Sequence, residues 1–215
     1  MLREQAYDRF KERLFSRQLS PGQFVSQREL CELIGVPLGP MREALKRLEA
    51  EALVRVYPQR GLQIADINVE LIRDAFEIRI VLEKEAARRF AVEGPRELVD
   101  GLARATAAII ERAQKKGVSE RLLDETMTVD WKMHDCIVAA MNNRIIAEVH
   151  RVNSDKIRLI RLNNRYVPER VVPAMQEHYA VLEAFKQRDP DAAAMAIERH
   201  LQVSRRRALG IGETP

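Results

Sequence analysis

Along most of this chain, apolar residues recur every three or four positions. From residue 69 to about 208 the pattern keeps a helical period and predicts helices over 69–91, 95–115, 119–141, 144–164, 169–187 and 190–208. The breaks hold Gly94-Pro95, Gly117, Asn142-Asn143, Pro168 and Asp189-Pro190, residues that end or start helices. The first third has a different texture. A helix is expected from about Gln5 to Arg17, then a turn over SPGQFVS (20–26), then a helix over 27–33. Ser26 can cap that second helix, with Glu29 completing a capping box. GVPLG is a tight turn, and Pro40 sits at a natural first-turn position for a third helix over 40–51. Leu45, Leu48 and Ala52 give this helix a buried stripe, and Arg42, Lys46 and Arg47 lie off it. The runs LVRVY (53–57) and LQIA (62–65), separated by the turn residues PQRG, predict a β-hairpin.

Two short helices joined by a turn and followed by a hairpin make a winged helix-turn-helix, whose second helix would enter a major groove. The alternative is a small helical subdomain with a solvated basic face. The expected fold is mainly α: an N-terminal winged helix-turn-helix with a small hairpin wing over 1–68, and a C-terminal all-α helical bundle over 69–215, with the hinge near Asp66–Val69.

The totals set bounds. With 215 residues, of which 46% are hydrophobic and 32% charged, the chain can bury one large core or two smaller ones. No apolar run is long enough to span a bilayer, and MLREQAYDRF is too charged for a signal peptide. Cys31 and Cys136 stand in unlike contexts without CxxC spacing, which points away from a disulfide framework and toward a reducing cytoplasm. Net charge is +4, and residues 1–66 hold 11 Lys/Arg against 9 Asp/Glu, so the basic excess is not concentrated in the first third. Charge therefore permits nucleic-acid binding without arguing for it.

Polar residues on apolar faces are more informative. On helix 119–141, Asp130 and His134 share a narrow sector with Ile137 and Met141. On 169–187, His178 shares a face with Ala174, Leu182 and Phe185; on 190–208, His200 shares one with Ala193, Ala196 and Val203. His150 lies only on the shoulder of its helix's stripe. A single inward histidine is most often a satisfied core residue. Three of them with a carboxylate, on three helices, suit a divalent transition metal (zinc, nickel or manganese) held by neutral imidazoles and an ionised Asp. The i, i+4 spacing lets Asp130 and His134 reach one ion. Arg79 falls among Ile72, Ala75, Leu82 and Ala86, where it is either one half of a buried pair or a clamp for a ligand carboxylate. Asn153 interrupts the stripe of Ile146, Val149, Ile157 and Ile160 and could line the same cavity.

The stretch LSPGQFVSQRELCELIGV…PMREALKRLEAEALVRVYPQRGLQI resembles the N-terminal domain of GntR-family bacterial transcription regulators over nearly all of residues 5–66. The resemblance implies DNA contacts at Arg28, at Arg42 in the recognition helix, and in the wing at Gly61, which would tip it, with Arg60 beside it. One departure stands out. After Gly-Val the family usually reads Ser/Thr-Arg-Thr-Pro, and this chain has Pro37-Leu38-Gly39-Pro40. Losing a bidentate base contact there would remove about 1–3 kcal/mol of discrimination. The segments FEIRIVLEKEAARRFA, DWKMHDCIVAAMNN and EHYAVLEAFKQRDPDAAAMAIERHL resemble the effector domain of the FadR subfamily over about 71–205. This second resemblance implies a metal held by Asp130, His134, His178 and His200, a small carboxylate bound beside it, and Arg79 as the arginine of the Glu-x-Arg motif. Met133 stands where Phe is usual.

The expectation is a metabolite-responsive transcription regulator, a repressor, not an enzyme, binding a near-palindromic double-stranded DNA operator as a homodimer. The rival is a metal-dependent hydrolase with a helical catalytic domain, against which no inward Glu stands out in the sequence as general base. A third reading is a binding protein whose histidine cluster is purely structural.

Overall fold

The computed structural model describes residues 1–163 and 168–211. These form two compact units, Met1–Leu71 with Asp155–Asn164, and Ile72–Ser154 with Arg165–Pro215. The division therefore does not run at one point of the chain: the end of the helix expected over 144–164 groups with the first unit. Its last expected residue, and the expected end of the second domain at 215, lie outside the described residues.

In the first unit, α1 (Leu2–Phe15), α2 (Gln27–Ile34) and α3 (Leu38–Ala50) are followed by β2 (Val54–Tyr57) and β3 (Gly61–Ile64). The capping box forms: the Glu29 backbone N–H donates to Ser26 Oγ at 3.2 Å, and the Ser26 N–H donates to Glu29 Oε2 at 2.8 Å. Gly35, in the left-handed conformation at φ 72°, closes α2. Two expectations are corrected. The segment 20–26 is not only a turn, because Phe24–Val25 form a short strand β1 that pairs antiparallel with β3, giving a three-stranded sheet in the order β1-β3-β2. A two-residue strand is too short for alternation to show in the sequence. Helix α3 begins at Leu38, two residues earlier than expected, and ends at Ala50. Pro40 is still within the first turn, where a missing N–H leaves no helical bond unmade. Ala52, expected on the buried stripe, instead lies past the helix end at φ 58° and is exposed, while Leu53 is buried.

This unit's core is built from Phe10 and Leu14 of α1, Leu30 and Ile34 of α2, Met41, Leu45 and Leu48 of α3, Leu62 and Ile64 of β3, and Leu159. Tyr7 ties α1 to the end of α3 by donating its hydroxyl to Glu51 Oε2 at 2.6 Å.

The rest of the described chain is helical: α4 (Val69–Glu93), α5 (Arg96–Lys116), α6 (Glu120–Ala139), α7 (Arg144–Asn163), a 3-10 turn at Pro168–Arg170, α8 (Val171–Lys186) and α9 (Pro190–Ala208), with the first residues of α4, to Leu71, and the part of α7 from Asp155 grouping with the first unit and the remainder forming the second. Asp189 caps α9, accepting from the Asp191 and Ala192 backbone N–H groups, with Pro190 in the first turn. Arg188 donates Nη1 to the carbonyls of Ala91, Val92 and Gly94 at the end of α4, a cation where orphan carbonyls collect. The main core joins Phe90 of α4, Leu102 of α5, Met133 and Ile137 of α6, Leu182 and Phe185 of α8, and Ile197 and Leu201 of α9. Phe90 and Phe185 meet edge to face at 4.8 Å between ring centroids. The stripe expected on α7 holds at Ile157 and Ile160, which are buried, but Val149 is 40% exposed. No helix among the described residues is long and apolar enough to cross a membrane.

Two glycines of the first unit make opposite demands. Gly61 has φ 90°, and a Cβ there would stand 2.6 Å from the Val25 carbonyl oxygen on β1. Gly39 has nothing within 4 Å of the same position and lies in α3. Gly61→Ala is expected to destabilise this unit by roughly 1–3 kcal/mol, and Gly39→Ala to stabilise it by about 0.4–1 kcal/mol. Urea denaturation of the full chain, followed by circular dichroism, checks both signs.

Candidate metal centre

Three helices place polar side chains at the heart of the second unit. Asp130 and His134 come from consecutive turns of α6, His178 from α8 and His200 from α9. All four are at most 2% exposed. Each offers one donor atom, and these atoms lie within 4.8 Å of one another. His178 Nε2 is 3.2 Å from His200 Nε2 and 3.2 Å from Asp130 Oδ1, and His134 Nε2 is 4.0 Å from the same oxygen. Metal–nitrogen and metal–oxygen bonds of about 2.0–2.2 Å put donors on this scale of separation.

The backs of the rings decide which nitrogens face inward. His134 Nδ1 lies 2.5 Å from Glu83 Oε2, and His200 Nδ1 lies 2.8 Å from Glu177 Oε2. A carboxylate can only accept, so each Nδ1 carries the proton and each Nε2 presents a lone pair to the centre. Carboxylates behind metal-binding imidazoles fix the tautomer and raise ligand basicity in this way. Glu83 and Glu177 in turn hold Arg79 and Arg207. Arg79 Nε donates to Glu83 Oε1 at 2.5 Å, and Arg207 Nη2 donates to Glu177 Oε1 at 2.6 Å.

The donor set fits a divalent ion. His134 Nε2 is buried and has no hydrogen-bond partner among the described residues. With its proton held on Nδ1 by Glu83, that nitrogen can only accept, and no donor reaches it. A buried lone pair left unmatched is costly, and a cation removes the cost. The electrostatics agree. Burial lowers the His134 imidazole to about 4, Arg79 adds to the lowering, and Glu83 and Asp130 pull the other way. Burial and the neighbouring imidazoles likewise hold His200 well below its ordinary value. Burial pushes the Glu83 carboxyl up, yet Arg79 and His134 together hold it at about 2. Neutral imidazoles and ionised carboxylates are the forms that bind metal.

Arg79 and Asn153 occupy different situations. Arg79 is 3% exposed, its Nε is engaged by Glu83, and its Nη1 and Nη2 are buried without a partner among the described residues. Asn153 donates Nδ2 to the Ala75 carbonyl of α4 at 2.9 Å, one turn before Arg79. His150 stands apart, 3.0 Å from Asp135 Oδ1. Sequence reasoning missed Glu83 and Glu177. Glu83 had a signal, its i, i+4 spacing from Arg79; Glu177 had none beyond adjacency to His178, because it lies on the shoulder of its helix.

In the first unit, Arg28 is exposed at the second position of α2, with Nε 3.3 Å from Glu32 Oε1. Arg42 is exposed on α3 and donates Nε to Gln27 Oε1 at 3.2 Å, so the starts of α2 and α3 lie together. Arg60 is exposed in the turn between β2 and β3. Gly61 is the first residue of β3, one place past that turn, and its close approach is to the chain's own β1. Pro37 is the α3 N-cap without a side-chain hydrogen bond, and Leu38 after it is 42% exposed. The position that lacks the usual arginine thus presents an apolar side chain.

Comparison with known proteins agrees with this architecture. Residues 74–203 match the FCD domain, and residues 2–64 match the bacterial regulatory proteins of the gntR family. The chain is 24% identical over 196 residues to the uncharacterized HTH-type transcriptional regulator YdhC of Bacillus subtilis, covering 91% of this chain and 86% of that one. It is 24% identical over 190 residues to the HTH-type transcriptional repressor RspR of Escherichia coli, covering 86% and 78%. Among solved structures, Escherichia coli McbR/YncC superposes with a TM-score of 0.77 at 19% identity, covering 98% of each chain. The strong matches are to transcription regulators rather than enzymes.

Glu177→Ala is expected to weaken Zn2+ binding by about 10–100-fold through loss of the outer carboxylate, measured by competition with a chromophoric chelator. In chelator-treated protein, His134 and His200 stay unprotonated below the value they have when unfolded, so the unfolded chain binds more protons as pH falls from 6.5 toward 4. Stability is therefore expected to be fully present near pH 7 and to decline through that window, read as a falling melting temperature.

Proposed function

Because this chain belongs to the gntR family of bacterial regulatory proteins and carries an FCD domain, we propose that it is a metabolite-responsive repressor whose helical unit senses a small carboxylate. The observation that carries this reading is the pairing of two features in one buried place: a converging donor set, Asp130, His134, His178 and His200, and an arginine beside it with two unengaged nitrogens. When bound, a divalent ion (zinc, nickel or manganese) supplies positive charge and open coordination positions for a ligand oxygen. Arg79 holds the ligand carboxylate through its planar fork. Asn153 keeps α7 against α4 one turn away and lines the approach. The donor set of one Asp and three His is what the FadR subfamily would carry, and the assignment within the family rests on that likeness.

The winged helix-turn-helix, assigned to residues 1–68, binds DNA through α3 in the major groove. Arg28 and Arg42 are the base or phosphate partners, and Arg60 and Gly61 belong to the wing. Leu38 in place of the usual arginine shifts recognition toward the remaining arginines and DNA shape. A homodimer reads a near-palindromic operator with half-sites about one helical turn apart. The second region, 69–215, binds the effector and dimerises, and the protein works in the cytoplasm. RspR, by name a repressor, supports the sign of regulation. A hydrolase reading gains nothing from the site: the carboxylates behind the histidines, Glu83 and Glu177, are both engaged by arginines and have no free position as general base.

Fluorescence anisotropy with DNA from upstream of the chain's own gene tests the reading. Binding should weaken steeply as salt rises, and Arg42→Ala should cost about 1–3 kcal/mol. Salt-independent binding, or none to that DNA, would count against it. A carboxylate effector should raise the melting temperature by mass action, by about 2.7 kcal/mol of stability at a hundredfold excess over its Kd, and Asp130→Ala should remove that response.

A further inference from the structure

Two of the three buried histidines have a carboxylate behind the ring, Glu83 behind His134 and Glu177 behind His200. His178 is fully buried, and its Nδ1 has no hydrogen-bond partner among the described residues. The proton state of its other nitrogen can be read from its neighbour. His200 holds its proton on Nδ1 against Glu177, so His200 Nε2 can only accept. His178 Nε2, 3.2 Å away, is the donor of that pair when no ion lies between them. Toward an ion the same nitrogen must be bare. A neutral imidazole keeps one proton, which then sits on Nδ1. Metal binding therefore requires the opposite tautomer at His178, and a buried Nδ1–H needs an acceptor.

A hydroxyl on α5 stands in the place to supply one. Thr106 is fully buried, and its Oγ1 also has no hydrogen-bond partner among the described residues. Thr126 and Thr128 on α6 behave differently, donating back to the carbonyls of Leu122 and Asp124 one turn earlier. Thr106 makes no such bond, so its hydroxyl is not spent on its own helix. Helix α5 packs along α8. Leu102 shares an apolar core with Leu182, and Ile109 shares one with Met175, so the two helices run antiparallel. Thr106 is four residues from Leu102 and three from Ile109, and His178 is four from Leu182 and three from Met175. This register sets Thr106 level with His178.

We infer that Thr106 is the outer partner of His178, a positioning residue whose hydroxyl takes the Nδ1 proton and so lets the ring present a bare Nε2 to an ion. The inference rests on the metal-centre reading above. The pair is not hydrogen-bonded in the structure, and turning the ring to aim Nε2 at an ion is the movement that closes it. A hydroxyl suits this ring better than a carboxylate does. It can accept from Nδ1–H or donate to a bare Nδ1, so it serves both tautomers. A carboxylate only accepts and holds one tautomer, as Glu83 and Glu177 do. The ring carries one proton throughout: Nε2 gives one up to water and Nδ1 takes one from it.

The test compares Zn2+ affinity of the full-length wild type, Thr106→Val and Thr106→Ser at pH 7, by competition with a chromophoric chelator. Valine keeps the shape and removes the hydroxyl, and should weaken binding by about tenfold, the low end for an outer partner. Serine restores the hydroxyl and should restore the affinity. Thr106→Val binding as tightly as the wild type, or Thr106→Ser weakened as far as Thr106→Val, overturns the inference and leaves the metal centre standing. A wild type that binds no Zn2+ overturns both. Nuclear magnetic resonance of 15N-histidine-labelled, Zn2+-loaded wild type gives a readout that needs no variant to fold. His178 should carry its proton on Nδ1, and a bare Nδ1 there overturns the inference.

Discussion

The hydrogen bond from His134 Nδ1 to the buried Glu83 carboxylate governs the chemistry of the helical unit. It fixes the proton on the outer nitrogen and leaves the inner one as a bare lone pair. A neutral imidazole with an unmatched acceptor in a dry interior is costly, and a bound cation would remove that cost. The same carboxylate anchors Arg79 and leaves that side chain's outer edge open. One glutamate on α4 therefore orients both a candidate metal-binding imidazole on α6 and a buried guanidinium. Glu177 repeats the arrangement behind His200, with Arg207 as its cation, but nearer the surface.

That polar centre is held by apolar packing around it. Met133 and Ile137 flank His134 on α6, Leu182 lies one turn beyond His178 on α8, and Ile197 and Leu201 flank His200 on α9, all in a single core. Side chains on stiff, mutually packed helices keep donor atoms in register far better than loop residues do. The first unit works by a different logic. Its helices are short, its sheet is small, and its order comes from local devices: the Ser26–Glu29 capping box, the left-handed Gly35, and Gly61 fitted against β1. Arg28, Arg42 and Arg60 are exposed on its surface, whereas Arg79 and Arg207 of the second unit are held by carboxylates.

The departure at Pro37-Leu38-Gly39-Pro40 has a structural consequence beyond the missing arginine. With proline as the N-cap, α3 begins without a side-chain acceptor for its first N–H groups. Pro40 offsets part of this, because it brings no N–H of its own to the first turn. The helix forms earlier than its proline suggested, and Leu38 projects from its start half exposed. A helix with an apolar first residue presents a different surface from one that begins with a guanidinium.

Much was legible from periodicity alone. A 3.6-residue repeat with Gly, Pro and Asn breaks located the helices of the second unit to within a few residues, and the same repeat marked Asp130, His134, His178, His200 and Arg79 as polar residues on buried faces. This works because helix geometry is local: residues i, i+3 and i+4 share a face whatever packs against it. What periodicity cannot encode is which faces meet. That His178 and His200, 22 residues apart, bring their Nε2 atoms to 3.2 Å depends on how α8 packs on α9. So do the partnership of Glu83 with His134 across 51 residues and the pairing of β1 with β3. A carboxylate reads as a solvated charge or as a buried anchor only once its neighbours are known, since burial and partners belong to tertiary packing and leave no periodic trace.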